Sequence, residues 1–225
     1  MLRRLSSNQP EFFEFTKENL KWAKKQIKKY PVGRQASAVI PILWRAQEQE
    51  GWISKPAIDV VAELLNMSSI RVFEVVSFYF MFHLHPVGNI AHIQICGTTP
   101  CMLRGSDDIV QICKKEISSE PHKLSDDGKF SWEEVECLGA CANAPLVQLG
   151  KDYYEDLTKE TFLDLLSDLK KGIVPQPGSR INKFSCEPSK FLKIKDNLHD
   201  EKFNASVQLA VLKKDTLEKI SGKKE

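Results

Sequence analysis

Four of the six cysteines fall into two tight pairs, Cys96 and Cys101 in C-G-T-T-P-C, and Cys137 and Cys141 in C-L-G-A-C-A-N-A-P. A C-x4-C and a C-x3-C pair each put two thiols on one side of a short loop. Two such loops brought together make a cage of four thiolates, which holds zinc or an iron–sulfur cluster. A fold must therefore bring two segments about 35 residues apart to one place. Thiol–disulfide exchange fits less well, because redox enzymes of thioredoxin type use C-x-x-C and neither pair has that spacing.

The N-terminus, M-L-R-R-L-S-S, is basic but has no apolar core of a secretory signal. It reads as a cytosolic start or as the remnant of a mitochondrial presequence, although Glu11 and Glu14 follow quickly. The longest apolar stretch, around Val75–Phe82, is far short of a bilayer span. Without export there is no oxidising compartment, so clustered cysteines point to metal or redox chemistry rather than disulfides. Charge is uneven although the whole chain carries only +2. Residues 1–89 are net +4, residues 90–169 net −8 and residues 170–225 net +6. The cysteine-bearing segment is the acidic one, which argues against nucleic-acid binding there.

Periodicity predicts an N-terminal extension over residues 1–11 and a helical bundle over 12–82. Thr16 caps a first helix. A second runs from about Arg34 to Glu50, with Pro41 forcing an early placement or a kink. Ser54 caps a third, and Ser68 or Ser69 a fourth whose β-branched residues leave a strand open. Residues 83–90 read as a linker, with His83 and His85 as a loop-end pair. Residues 91–172 read as a small α/β domain. Ala91–Cys96 and Phe130–Cys137 alternate as strands, Ser106 caps a helix, and Pro145–Leu149 with Tyr153–Leu157 form a hairpin. A final helix follows Thr158 and stops at Gly172. Cys113 lies on an apolar helix stripe and reads as a core thiol. Residues 173–225 read as a tail, with an amphipathic helix possible near residues 205–220.

Both cysteine pairs begin at the C-terminal end of a predicted strand, the edge where α/β domains bind ligands. Small residues after each first cysteine (Gly97, Thr98, Thr99, Gly139, Ala140) let backbone N–H groups approach sulfur. Glu133, Glu134 and Glu136 precede Cys137, and Asp107 and Asp108 follow the first loop. Their charge would disfavour a more negative, reduced metal centre, while Arg104 would act the other way.

The segments C-G-T-T-P-C-M-L-R-G and V-E-C-L-G-A-C-A-N-A-P resemble the thioredoxin-like [2Fe–2S] ferredoxin subunit of NADH:ubiquinone oxidoreductase, respiratory complex I. K-D-Y-Y-E-D-L-T from Lys151, F-S-C-E-P from Phe184 and Q-E-G-W at Gln49–Trp52 extend the likeness over roughly residues 12–190. The resemblance implies an α+β chain, a helical bundle followed by a thioredoxin-like domain. It implies one [2Fe–2S] cluster on Cys96, Cys101, Cys137 and Cys141, with Cys186 not a ligand. It further implies an electron-carrier role: the cluster takes single electrons from FMNH2 of a partner flavoprotein that oxidises NADH. FMN and NADH belong to that partner, since this chain has no G-x-G-x-x-G. The implied location is the bacterial cytoplasm, peripheral to the inner membrane, or the matrix side of the mitochondrial inner membrane. Two alternatives stand beside this reading: the equivalent diaphorase subunit of an NAD-linked hydrogenase or formate dehydrogenase, and a zinc-stapled scaffold.

Overall fold

A computed structural model describes residues 3–183 and Leu212. The chain divides into two compact units between Val87 and Gly88.

The first unit is helical: α1 Lys17–Ile27, a 3-10 turn Gln35–Ala38, α2 Val39–Glu50, α3 Lys55–Leu65 and α4 Ser69–Phe78. The Thr16 hydroxyl accepts from the Asn19 N–H and the Ser54 hydroxyl from the Ala57 N–H, satisfying donors that a helix start leaves free. Pro41 falls in the first turn of α2, where a missing N–H costs nothing, so the helix begins at Val39 rather than Arg34 and needs no kink there. Gly51 closes α2 with φ +84°, a left-handed conformation that disfavours a Cβ. Just before it, the Gln49 amide joins two elements. It accepts from the Thr16 N–H at 3.1 Å and donates to the Glu14 carbonyl at 2.8 Å. The β-branched fourth segment is helical, because Val72 and Val76, four apart, both fall on the buried side. Ile42, Leu43, Val61, Leu65 and Phe82 fill the core. Each such side chain stabilises the unit by roughly 1.5–3 kcal/mol relative to exposure.

Among the described residues, the second unit is built on five strands: β1 Ala91–Cys96, β2 Phe130–Val135, β3 Val147–Leu149, β4 Asp152–Glu155 and β5 Gly178–Ser179, in the order β2-β1-β3-β4-β5. The β1–β2 and β4–β5 pairs are parallel; β1–β3 and β3–β4 are antiparallel. The helices beside the sheet are α5 Thr99–Leu103, α6 Ser106–Glu116 and α7 Lys159–Lys170. Ile93, Ile95, Trp132, Val147 and Leu149 on one sheet face pack with Ile109 and Cys113 of α6 and with Phe162, Leu165 and Leu169 of α7. Cys113 is thus the core thiol that its stripe predicted. Thr158 and Thr161 cap α7 reciprocally, each hydroxyl accepting from the other's backbone N–H.

Three local expectations shift. Gly105, at φ +102°, takes the cap position of α6, and Ser106 becomes its first, buried residue. The strand expected to reach Cys137 ends at Val135, and each arm of the hairpin is shorter than expected. The stretch after Gly172 returns to the sheet as β5. The expected helix near residues 205–220 and Cys186 lie outside the described residues.

Candidate metal centre

The first loop leaves the sheet at the parallel pair of β1 with the edge strand β2. Cys96 is the last residue of β1, and the Gly97 N–H donates to the Val135 carbonyl at 3.0 Å, carrying the ladder one residue further. The chain then turns into α5, with Pro100 in its first turn and Cys101 fully buried within it. Thr98 holds the cap position, yet its hydroxyl does not cap the helix; it lies 3.4 Å from the Cys96 sulfur. Gly97 also leaves room for a neighbouring side chain. A Cβ there would stand 2.0 Å from Glu134 Oε1, so the carboxylate occupies the side-chain space that Gly97 leaves free.

The second loop follows β2. Gly139 adopts φ +82°, and its N–H donates to the Cys137 sulfur at 3.4 Å. Cys141 opens a 3-10 turn through Asn143. The Cys137 and Cys141 sulfurs lie 3.7 Å apart. Two thiolates bound tetrahedrally to one metal at about 2.3 Å are separated by about 3.8 Å. The loop is held from the sheet. The Tyr153 hydroxyl on β4 donates to the Leu138 carbonyl at 2.9 Å, and the Asn143 amide donates to Glu155 at 2.6 Å. Leu138, Ala140 and Tyr153 pack against the buried Cys96, Cys101, Ala144 and Leu146.

The four thiols converge. Burial opposes charge on Cys96. Hydrogen bonds from the Thr98 side chain and backbone, the Leu138 backbone and the Cys101 thiol outweigh it and hold its pKa below the ordinary thiol value. Cys101 is pushed up to about 12, by burial first, then by the hydrogen bond and charge of Cys96, and also by the charge of Cys141 across the loops. Cys141 is raised by its contact with Cys137, by desolvation, and by the charges of Cys137 and Cys96. These mutual effects place the sulfurs of the two loops on the same side of the domain, within electrostatic reach of one another. Neighbouring thiols that raise Cys101 and Cys141 suit a site whose charge is balanced by bound metal, which deprotonates its ligands. Donors of this chemistry, with N–H and O–H groups aimed at sulfur, fit an iron–sulfur centre.

The remaining sequence candidates separate. Cys113 lies in the helix–sheet core, away from the four thiols. Glu133 is buried on the sheet face opposite the helices, where Gln94 donates to it at 2.8 Å and His92 lies 3.1 Å away. Its charge is engaged there. Asp108 pairs with Lys159 at 3.1 Å. Glu134 is exposed and lies beside the first loop. Tyr153 is a site residue that periodicity does not reveal, because its bond joins β4 to the distant cysteine loop at Leu138; it lies inside the K-D-Y-Y-E-D-L-T motif nonetheless.

Residues 23–170 match the model of the thioredoxin-like [2Fe-2S] ferredoxin family, a stretch that runs through both units. An E-type subunit of the NADH-quinone oxidoreductase of Rhizobium meliloti (strain 1021) is 53% identical over 191 residues, covering 83% of this chain and 70% of that protein. The E-type subunit of the NADH-quinone oxidoreductase of Rickettsia bellii (strain RML369-C) is 50% identical over 159 residues, 70% of this chain and 95% of that one. Among solved structures, a chain of an NAD+-reducing [NiFe]-hydrogenase in the H2-reduced state matches with a TM-score of 0.51 at 15% identity. That match covers 60% of this chain and 22% of the hydrogenase chain, and it is a likeness of fold. With the family model spanning residues 23–170 and relatives half identical to it, the chain belongs to the thioredoxin-like [2Fe-2S] ferredoxin family.

Proposed function

We propose that this chain is the electron-carrying, E-type subunit of an NADH-quinone oxidoreductase, with Cys96, Cys101, Cys137 and Cys141 as the ligands of one [2Fe–2S] cluster. The observation that carries the reading is the convergence of these four thiols at one end of the sheet, in a chain half identical to proteins of that kind. Bound there, a [2Fe–2S] centre accepts and returns one electron at a time. The chain's own part is to hold the ligands and shape their surroundings. β1 and α5 bury Cys96 and Cys101 away from water. The Thr98 hydroxyl and the Gly139 N–H lie against sulfur, where they stabilise negative charge. Tyr153 and Asn143 fix the outer loop.

Hydride chemistry belongs elsewhere. No dinucleotide fingerprint occurs here, so an FMN- and NADH-binding flavoprotein of the same complex is the electron source. Among the described residues no helix is long and apolar enough to cross a membrane. Its likeness to E-type subunits supports a place in a peripheral arm beside partner subunits, on the bacterial cytoplasmic or mitochondrial matrix side.

The test is a visible absorption spectrum of the purified full chain with iron and sulfide analysis. The reading expects a coloured, reducible protein with two irons and two sulfides per chain. A colourless protein with stoichiometric zinc supports the scaffold instead. Co-purification from the native source names the complex: an NADH-oxidising flavoprotein with quinone reductase subunits is expected, and hydrogenase or formate dehydrogenase subunits would displace that assignment.

A further inference from the structure

The segment after α7 does more than leave the domain. It returns along β4 as β5, where the Arg180 N–H donates to the Glu155 carbonyl at 2.9 Å. Ser179 then makes a tight turn. Its hydroxyl donates to Asp156 Oδ2 at 2.6 Å and accepts the N–H groups of Ile181 and Lys183 at 3.3 Å each. The turn delivers the Lys183 ammonium to the back of the outer cysteine loop. Nζ lies 2.6 Å from Asn143 Oδ1, 3.1 Å from the Ala142 carbonyl and 3.2 Å from Asp156 Oδ1. Ala142 and Asn143 are the two residues immediately after Cys141. The side chains of Lys183 and Asp156 are each about one-tenth exposed, so this is a nearly dry ion pair.

A chain does not bury an ammonium without partners that satisfy it, because the desolvation cost is several kcal/mol per ion. Here the partners are not distributed evenly. The ammonium faces the cysteine loop, while the Asp156 carboxylate also binds Ser179 on the other side. The pair is therefore a fixed dipole whose positive end points at the loop carrying Cys141.

We propose that Lys183 is a positioning residue for the outer cysteine loop, locking Ala142 and Asn143 in place and presenting positive charge that favours the reduced state of the metal centre. This rests on the cluster assignment above. It gives residues 178–183 a role in the redox site, forty residues away in sequence.

The test uses the full chain with its cluster assembled. Lys183→Met, Lys183→Arg and Asp156→Asn are compared with the parent by redox titration and by the rate at which a chelator bleaches the colour. Lys183→Met should shift the reduction equilibrium about three- to tenfold toward the oxidised state, tenfold being 59 mV for one electron. It should also bleach several-fold faster. Lys183→Arg should restore most of the potential. Asp156→Asn keeps the ammonium and removes its counter-charge, so it should shift the equilibrium the opposite way. Should Lys183→Met fail to fold, the Arg and Asn variants decide: a potential shift of the sign given for Asp156→Asn supports the proposal. Unchanged potentials in the folded variants, or shifts of the same sign from Lys183→Met and Asp156→Asn, overturn it. A colourless parent protein would instead overturn the cluster assignment itself.

Discussion

Replacing Glu134 by Gln should raise the midpoint potential, and the structure sets the scale. Glu134 Oε1 occupies the place a Cβ on Gly97 would take, beside the residue that follows Cys96, a ligand in the reading proposed above. With neighbouring Cα atoms 3.8 Å apart, the carboxylate lies about 7 Å from the Cys96 sulfur. One unit charge at about 7 Å is worth about 2.4 kcal/mol at an effective dielectric of 20, and about 0.6 kcal/mol at that of water. Glu134 is exposed, so the lower figure governs. For a one-electron couple it corresponds to about 25 mV, using 59 mV per tenfold change. The sign follows from charge: the reduced centre carries one more negative charge, so a nearby carboxylate disfavours reduction and its removal favours it. Spectroelectrochemical titration of the full chain should show an upward shift of this size at about 10 mM salt. It should shrink toward nothing at about 1 M, where the screening length falls from about 30 Å to about 3 Å. A downward shift, or none, in low salt would refute the electrostatic argument and leave the ligand assignment standing.

Cys137→Ala should lose most of the iron and sulfide, whereas Cys113→Ala and Cys186→Ala should retain them; full metal content in the Cys137 variant would remove it from the ligand set. Cys113→Ala should still cost about 1 kcal/mol in urea unfolding, since it empties a buried position. Gly88→Ala should destabilise by at least the roughly 1–3 kcal/mol of an overpacked core, because its Cβ would meet the Phe130 backbone at 2.4 Å. An unchanged denaturation midpoint would contradict that contact. In metal-free protein at pH 8, peptide mapping after alkylation should show exposed Cys137 modified well before Cys101. Burial raises the Cys101 pKa to about 12, so the unreactive thiol persists through neutral pH and its labelling should accelerate only as the solution approaches that value. Equal rates at pH 8 would show that Cys101 is not held neutral.

What could be read in advance was local. The alternation A-H-I-Q-I-C marks β1 to its observed ends, and Thr16, Ser54 and Thr158 announce helices because the cap acts within three residues of itself. The α5 turn escaped the reading because five residues hold no period, although Pro100 at its start was a usable signal. A two-residue strand such as β5 has no pattern at all. The four thiols were legible from spacing, since ligand pairs lie in short loops. Their supports were not: Tyr153 to Leu138 and Lys183 to Ala142 join residues 15 and 41 positions apart. Such contacts arise from tertiary packing, which one sequence does not display. Gly97 shows the same limit, since the Glu134 side chain that fills the space beside it comes from the neighbouring strand.

The two cysteine pairs differ in depth: Cys96 and Cys101 are buried, while Cys137 and Cys141 are exposed. Solvent meets the outer pair directly, whereas packed protein shelters the inner pair. Under the ligand set proposed above, a competing chelator would therefore meet the two outer thiols before the two inner ones.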